Sequence, residues 1–403
     1  MQSILLTSLA LLTGNAAAAT AWQRLDAPDL ATVLNHRAAV AMQRIRVDAA
    51  ALHEADALDL PLPGGGTARM NVLARERRAG GDLWLLGSLA GEATAQVSLS
   101  LTGGYLGGLI SAPGGNYEIT TLADGSQVVV ALNQDAFPEC ATGVAERVTP
   151  PATAGVAAPA VAPPDKTDVL IVFSPQAQTA LGGIDPVRAF AQSAVDSANL
   201  AFRNSDMTTR FRLAGFRVTT RNEAGDSGTD LSWLQADAEV AGWRDQVGAD
   251  LVSLIIESMP DACGRGYVQS SPGAGFAPFA VQVTARGCAV GNLSWAHEHG
   301  HNMGMGHNMG MGHDPGNGNG AYAWSFGHIV DGSFRTVMAY ATNCPAGCTR
   351  RPHFSNPAVS YAGAPTGIVD QRDNHRTGNQ TADIVANFRA SDILFLDGFQ
   401  PAP

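Results

Sequence analysis

Charged side chains are scarce in this 403-residue chain. They make up 15% of it, with 36 acidic against 25 basic residues and a formal net charge of −11. A long coiled coil or a disordered polyelectrolyte needs far more charge, so both are excluded. No stripe of Lys and Arg is present, and no nucleic-acid partner is expected. Aromatic residues are also few, at 6%. Apolar residues still reach 45%, enough to bury the cores of two or three domains. Gly and Pro are plentiful, at 45 and 22 residues, which suits a loop-rich globular chain. After the first residues, no apolar run approaches the roughly 20 residues that span a bilayer. No stable membrane association is therefore expected.

The start of the chain reads as a processing signal. The apolar run Ile4 to Leu12 is followed by the small residues Ala16 to Ala19, the pattern of a secretory signal peptide over residues 1–19, although no Lys or Arg precedes the run. The protein is thus expected to be secreted, either extracellular or periplasmic. Cysteines number only five: Cys140, Cys263, Cys288, Cys344 and Cys348. In an exported protein an even set suggests disulfides. Cys344 with Cys348 can close a short loop and Cys263 with Cys288 a longer one. Cys140 then stands alone, far upstream.

Composition divides the rest of the chain. Residues 20–148 form a first unit. It opens with helical-looking sequence around Leu30 to Ala51 and continues as short strands: Met70 to Leu73, Leu83 to Leu86, Ala95 to Leu101, Tyr117 to Thr121 and Gln127 to Leu132. Gly-Gly and Asp-Gly pairs separate these strands, as hairpins require. Residues 149–166 are a Pro/Ala linker, too poor in side chains to build a core and accessible to a protease. Residues 167–390 form a second unit. Its order is strand (Asp168 to Phe173), amphipathic helix (Pro186 to Arg203), strand (Phe211 to Val218), helix (Asp230 to Asp245), strand (Asp250 to Glu257) and strand (Ala280 to Thr284). This alternation predicts an α/β (α+β) architecture with helices on a mixed sheet. Residues 391–403 form an apolar tail.

The most informative stretch is Trp295-Ala296-His297-Glu298-His299-Gly300-His301-Asn302-Met303-Gly304-Met305-Gly306-His307. Residues four apart share a helix face, so His297 and His301 can grip one ion. Glu298 lies beside them, positioned to take a proton from an attacking water. Gly304 can adopt a positive φ, end the helix and turn the chain. His307 then approaches the ion from another direction. Three neutral imidazoles leave one position of a tetrahedral zinc open, as catalysis needs and a purely structural site does not. His299 falls about 200° around the helix from His297 and points away. His328, His353 and His375 are surface or core residues by this reading.

These residues resemble the metzincin clan of zinc metallopeptidases, whose motif is His-Glu-x-x-His-x-x-Gly-x-x-His followed by a Met-containing turn. Arg335-Thr336-Val337-Met338-Ala339-Tyr340 looks like that turn. The resemblance places Met338 beneath the ligands and Tyr340 near the metal as an oxyanion stabiliser. Residues 166 to 390 are similar to bacterial metzincins of the reprolysin-like type, with Phe354-Ser355-Asn356-Pro357 and Asp373-Asn374-His375-Arg376 leading into a last helix over Gln380 to Arg389. By the same resemblance, Ala280 to Thr284 would be the edge strand that pairs with extended peptide substrate. The implied whole is a metzincin-like catalytic domain with an active-site helix, preceded by a β-rich prodomain.

One departure concerns the third ligand. Gly-His-Asn-Met-Gly-Met occurs twice in tandem, at Gly300 to Met305 and Gly306 to Met311. His307 has the motif's spacing, whereas His313, followed by Asp314, has the neighbour common in reprolysin-like members. Spacing favours His307, and His313 is the alternative third ligand.

Cys140 has a reading of its own, because prodomains of several metzincins resemble this arrangement, with a cysteine filling the open zinc position. The expectation is a zymogen kept latent by Cys140 until the linker is cut. A disulfide to a downstream cysteine or a buried free thiol are the other readings. The implied activity is endopeptidase cleavage of proteins or peptides with one catalytic Zn2+ and Glu298 as general base. The alternative is a secreted metal-binding or adhesion protein with an inactive metzincin-like fold.

Overall fold

A computed structural model describes residues 21–26, 38–141, 166–308, 320–341 and 344–389. The signal segment 1–19, most of the linker and the tail lie outside the described residues.

The first sheet is antiparallel. Its strands are β1 (Trp22–Arg24), β2 (Ala39–Val47), β3 (Ala57–Pro61), β4 (Thr67–Arg77), β5 (Leu83–Leu89), β6 (Glu92–Thr102), β7 (Tyr105–Ala112), β8 (Gly115–Thr121) and β9 (Gln127–Leu132). They lie in the order β1-β2-β9-β8-β7-β6-β5-β4-β3. Between β6 and β7, Gly103 and Gly104 take positive φ, +58° and +86°, so Thr102 pairs directly with Tyr105; two glycines make this turn without strain. The sheet curls until its ends meet, with Trp22 Nε1 donating to the Asp59 carbonyl. Leu83 and Leu85 face the enclosed core, while Trp84 and Leu86 pack outward with Leu200. The continuous Leu-Trp-Leu-Leu run of β5 thus reflects burial on both faces.

The second sheet joins β10 (Lys166–Phe173), β11 (Arg210–Val218), β12 (Leu251–Ile256), β13 (Gly264–Gly266) and β14 (Val281–Ala285) in the order β11-β10-β12-β14-β13. All pairs are parallel except β13 with β14. With helices packed on it, the C-terminal part is a mixed α/β unit. Cys263–Cys288 and Cys344–Cys348 form disulfides, and Cys140 is a buried free thiol.

Several expectations need correction. Ala39–Val47 is a strand; pairing with β1 and β9 overrides the helical propensity of its Ala, Met, Gln and Arg. Ala49–Glu54 after it is helical, and residues 30–37 of the expected helical stretch lie outside the described residues. The region Asp230 to Asp245 is two helices, Ser227–Ala236 and Ala238–Val247, because Asp237 leaves the helical conformation and caps the second. The last helix is Asn374–Val385, and Asp373 caps it. Strand β14 is not at the edge, since β13 pairs along its outer side.

The helix Ile184–Asn204 is buried nearly all round. Its apolar face covers the second sheet, and its polar face docks on β6 and β7. Gly107 makes that approach possible, because a Cβ there would sit 2.9 Å from Ser193. Asp196 is fully buried on this face, but it accepts bonds from Arg78 at 2.8 and 2.9 Å and from Ser100 at 2.6 Å. Such a carboxylate is stable only while its partners hold it.

A second buried carboxyl ties the two units together. Glu118 on β8 accepts from the Gly291 amide at 2.9 Å. Burial pushes its pKa up to about 7, against the opposing pull of that amide and of Arg286. The folded state therefore holds this proton more tightly than the unfolded chain. The associated stability is complete below pH about 4.5 and is lost as pH rises through about 7. A shift of this size amounts to about 3 kcal/mol. Glu118→Gln, which keeps the acceptor, should raise the melting temperature of the full chain at pH 8 and change it little at pH 5. An equal effect at both values would show that Glu118 stays ionised.

Candidate active site

The site is built on the helix Ser294–Asn302, whose nine residues are all buried. Trp295 Nε1 donates to Ser253 on β12 at 2.9 Å, and Asn302 Nδ2 donates to the carbonyls of Tyr267 and Val281. Both ends of the helix are thereby pinned to the sheet. Gly304, at φ +86°, stops it, and a Cβ at this position would lie 2.8 Å from that of Ala321. The chain then turns into the short strand Gly306–Asn308.

His297, His301 and His307 converge, their ligand atoms all within 4.8 Å of one another. His297 Nδ1 is bonded to the Val337 carbonyl at 2.8 Å, and His301 Nδ1 to the Met305 carbonyl at 2.8 Å. Each carbonyl accepts a hydrogen bond from a protonated Nδ1, the tautomer whose Nε2 carries the lone pair a metal needs. His297 Nε2 and His307 Nε2 stand 3.1 Å apart. Two nitrogens on one tetrahedral zinc are roughly 3.3 Å apart, given Zn–N bonds of about 2.0–2.1 Å. Burial, with the nearby charges of His301 and Arg350, holds the pKa of His297 well below the usual range. A neutral imidazole is the form that binds metal, so the donor set fits zinc. His313 lies outside the described residues.

Met338 is fully buried under the helix. A Cβ on Gly300 would meet its sulfur at 2.5 Å, so glycine at 300 lets the Met turn close beneath His297 and His301. The Tyr340 ring lies against that of His307, 4.1 Å between centroids. His299 is turned away: it packs on Trp295 and bonds Asn302 at 3.0 Å.

Glu298 is buried beside His297. Burial raises its pKa to about 8, opposed by a hydrogen bond from Cys140 and by Arg350 and Arg265. The Cys140 thiol donates to Oε1 at 2.7 Å, and Cys140, His297 and Glu298 form a second close cluster. Oε2 is buried without a hydrogen-bond partner among the described residues. The edge strand β13 presses against this carboxylate: a Cβ on Gly264 would fall 2.6 Å from Oε1, and one on Gly266 3.0 Å from the Glu298 carbonyl. Sequence reasoning missed both glycines. Their signal was glycine inside a strand, which marks close approach of backbone.

A family model described as metallopeptidase family M12B, reprolysin-like, matches residues 164–372. The chain is 29% identical over 386 residues to a peptidyl-Asp metalloendopeptidase of Xanthomonas campestris, covering 90% of this chain and 89% of the other. It is 28% identical over 395 residues to a peptidyl-Asp metalloendopeptidase of Stenotrophomonas maltophilia, covering 90% of each. A Pseudomonas aeruginosa protein of the same description is 32% identical over 263 residues, covering 59% of this chain and 43% of that one. With a buried three-histidine cluster on the matched segment, the chain belongs to the M12B reprolysin-like metallopeptidases and is a metalloendopeptidase.

Proposed function

We propose that this chain is an exported zymogen of a zinc endopeptidase that cuts proteins beside aspartate. In this reading residues 1–19 are the signal peptide, 20–148 the prodomain, 149–166 the linker, 167–390 the catalytic domain and 391–403 a tail. The observation that carries it is the buried meeting of His297, His301 and His307 beside Glu298. The names of the relatives support aspartate as the side chain selected.

His297, His301 and His307 would hold one zinc ion, with Met338 supporting the helix that carries the first two. When bound, zinc polarises the scissile carbonyl and acidifies water at the site. Glu298 takes the proton of the attacking water and delivers it to the leaving amine. Its place beside His297 supports that role. The contact of the Tyr340 ring with that of His307 supports a role for its phenol at the developing oxyanion. In the uncut chain the Cys140 thiol donates a hydrogen bond to the Glu298 carboxylate, which supports latency. No helix among the described residues is long and apolar enough to cross a membrane, in keeping with export.

The test is casein hydrolysis by the full chain after cleavage within residues 149–165. Activity should disappear on chelation and return when zinc is restored. Hydrolysis indifferent to the chelator, or none from a folded, zinc-loaded and processed chain, would overturn the reading.

A further inference from the structure

The segment Glu139–Ala141 runs along the free side of β13. The Glu139 carbonyl accepts from the Cys263 amide and the Ala141 amide donates to the Gly264 carbonyl, both at 3.2 Å. Pairing through backbone groups with a sheet edge is how an extended peptide is held without regard to its side chains. Cys140 is the residue of this segment that reaches Glu298. Glu139 is therefore one residue from the reacting position.

The Glu139 carboxylate turns into a basic corner. Its Oε1 accepts from the Ala341 amide, and its Oε2 lies 3.9 Å from Arg350 Nη2. Arg350 and Arg335 are almost wholly buried, 1% and 2% exposed. The hydrogen bonds of their terminal nitrogens go to neutral carbonyls: Arg350 to Asn292 and Ala339, Arg335 to Ala339. The Nε of each has no hydrogen-bond partner among the described residues. Two buried guanidinium groups served by carbonyls are poorly compensated unless an anion joins them. Burial and the neighbouring Arg350 lower the pKa of Arg335 to about 9, and Glu139 acts in the opposite direction. The carboxylate meeting this need belongs to the very segment that cleavage in the linker is proposed to release.

We infer that Arg350, backed by Arg335 and the Ala341 amide, is the subsite that receives an acidic substrate side chain beside the scissile bond, and that Glu139 fills it in the uncut chain as a built-in substrate mimic. This rests on the peptidase reading above and assigns its selectivity to named residues. An aspartate carboxylate entering the emptied corner restores the charge balance that Glu139 provides. Asparagine, equal in shape, brings no charge to this corner.

The test uses the processed full chain and two peptides identical except for Asp or Asn beside the scissile bond. The unmodified enzyme should favour Asp by roughly 10- to 100-fold in kcat/KM, the range for a hydrogen bond to a charged group. Arg350→Gln should bring the ratio within about threefold of unity. General damage to the fold would lower both rates and leave the ratio standing. Arg350→Lys, which keeps the charge and loses the planar fork, should retain part of the preference. Because a buried arginine is a risky site to alter, a second measurement needs no variant. The peptide Phe-Pro-Glu-Ser-Ala should inhibit at roughly tenfold lower concentration than Phe-Pro-Gln-Ser-Ala. Equal inhibition, equal cleavage of the Asp and Asn peptides, or a preference that survives Arg350→Gln overturns the subsite and leaves the peptidase standing. Failure to cut either peptide, or casein, sinks the peptidase reading itself.

Discussion

Glu298→Gln is expected to lower casein hydrolysis by the processed chain by roughly 10²–10⁴-fold, the usual contribution of a general acid–base group. Zinc content should stay the same. The amide has nearly the shape of the carboxylate, and His297 and His301 do not depend on it for position, being oriented by the carbonyls of Val337 and Met305. Oε2 has no partner to lose among the described residues. The expected combination is therefore intact fold, intact metal and lost turnover. A variant that keeps a tenth or more of the activity would remove Glu298 from the proton transfer. One that loses zinc as well would make it part of the metal site.

The second large effect concerns the uncut chain. Cys140→Ala is expected to raise its hydrolysis of a short peptide at least about tenfold over the unmodified precursor, because the thiol is the group lying on the Glu298 carboxylate. Activity should remain below that of the processed enzyme, since Glu139 and Ala141 still bond to Cys263 and Gly264 along β13. Burial and the adjacent Glu298 hold the thiol pKa well above its usual value. Displacement of its proton by a metal ion is the step that would make it a ligand. The cobalt(II)-substituted precursor should accordingly show thiolate-to-metal charge-transfer absorption that disappears in Cys140→Ala. A precursor that lacks this band, and whose alanine variant stays inactive while folded, would reduce Cys140 to a packing residue.

Much of the architecture was legible from local pattern. The parallel strand Lys166–Phe173 and the hairpin strands β5, β6, β8 and β9 stand where their apolar patterns placed them. Buried strands carry that signal in the side chains themselves. The error at Ala39–Val47 arose because a strand rich in Ala, Met, Gln and Arg is decided by its neighbours β1 and β9. The reading of Ala280 to Thr284 as an edge strand failed for a similar reason. Only the placement of the three-residue β13 determines which strand is outermost, and so short an element has no periodicity of its own.

The site divides along the same line. Sequence by itself determined that His297 and His301 share a face, that Glu298 stands beside them and that a glycine follows where the helix must stop. These are consequences of helical spacing and of glycine's freedom at positive φ. Tertiary structure alone decided that His307 Nε2 comes within 3.1 Å of His297, that Met338 packs under Gly300, and that Glu139 reaches the Ala341 amide across 202 residues of chain. Helical spacing is written in the covalent chain, whereas contacts between distant segments exist only after both sheets have packed against the same long helix.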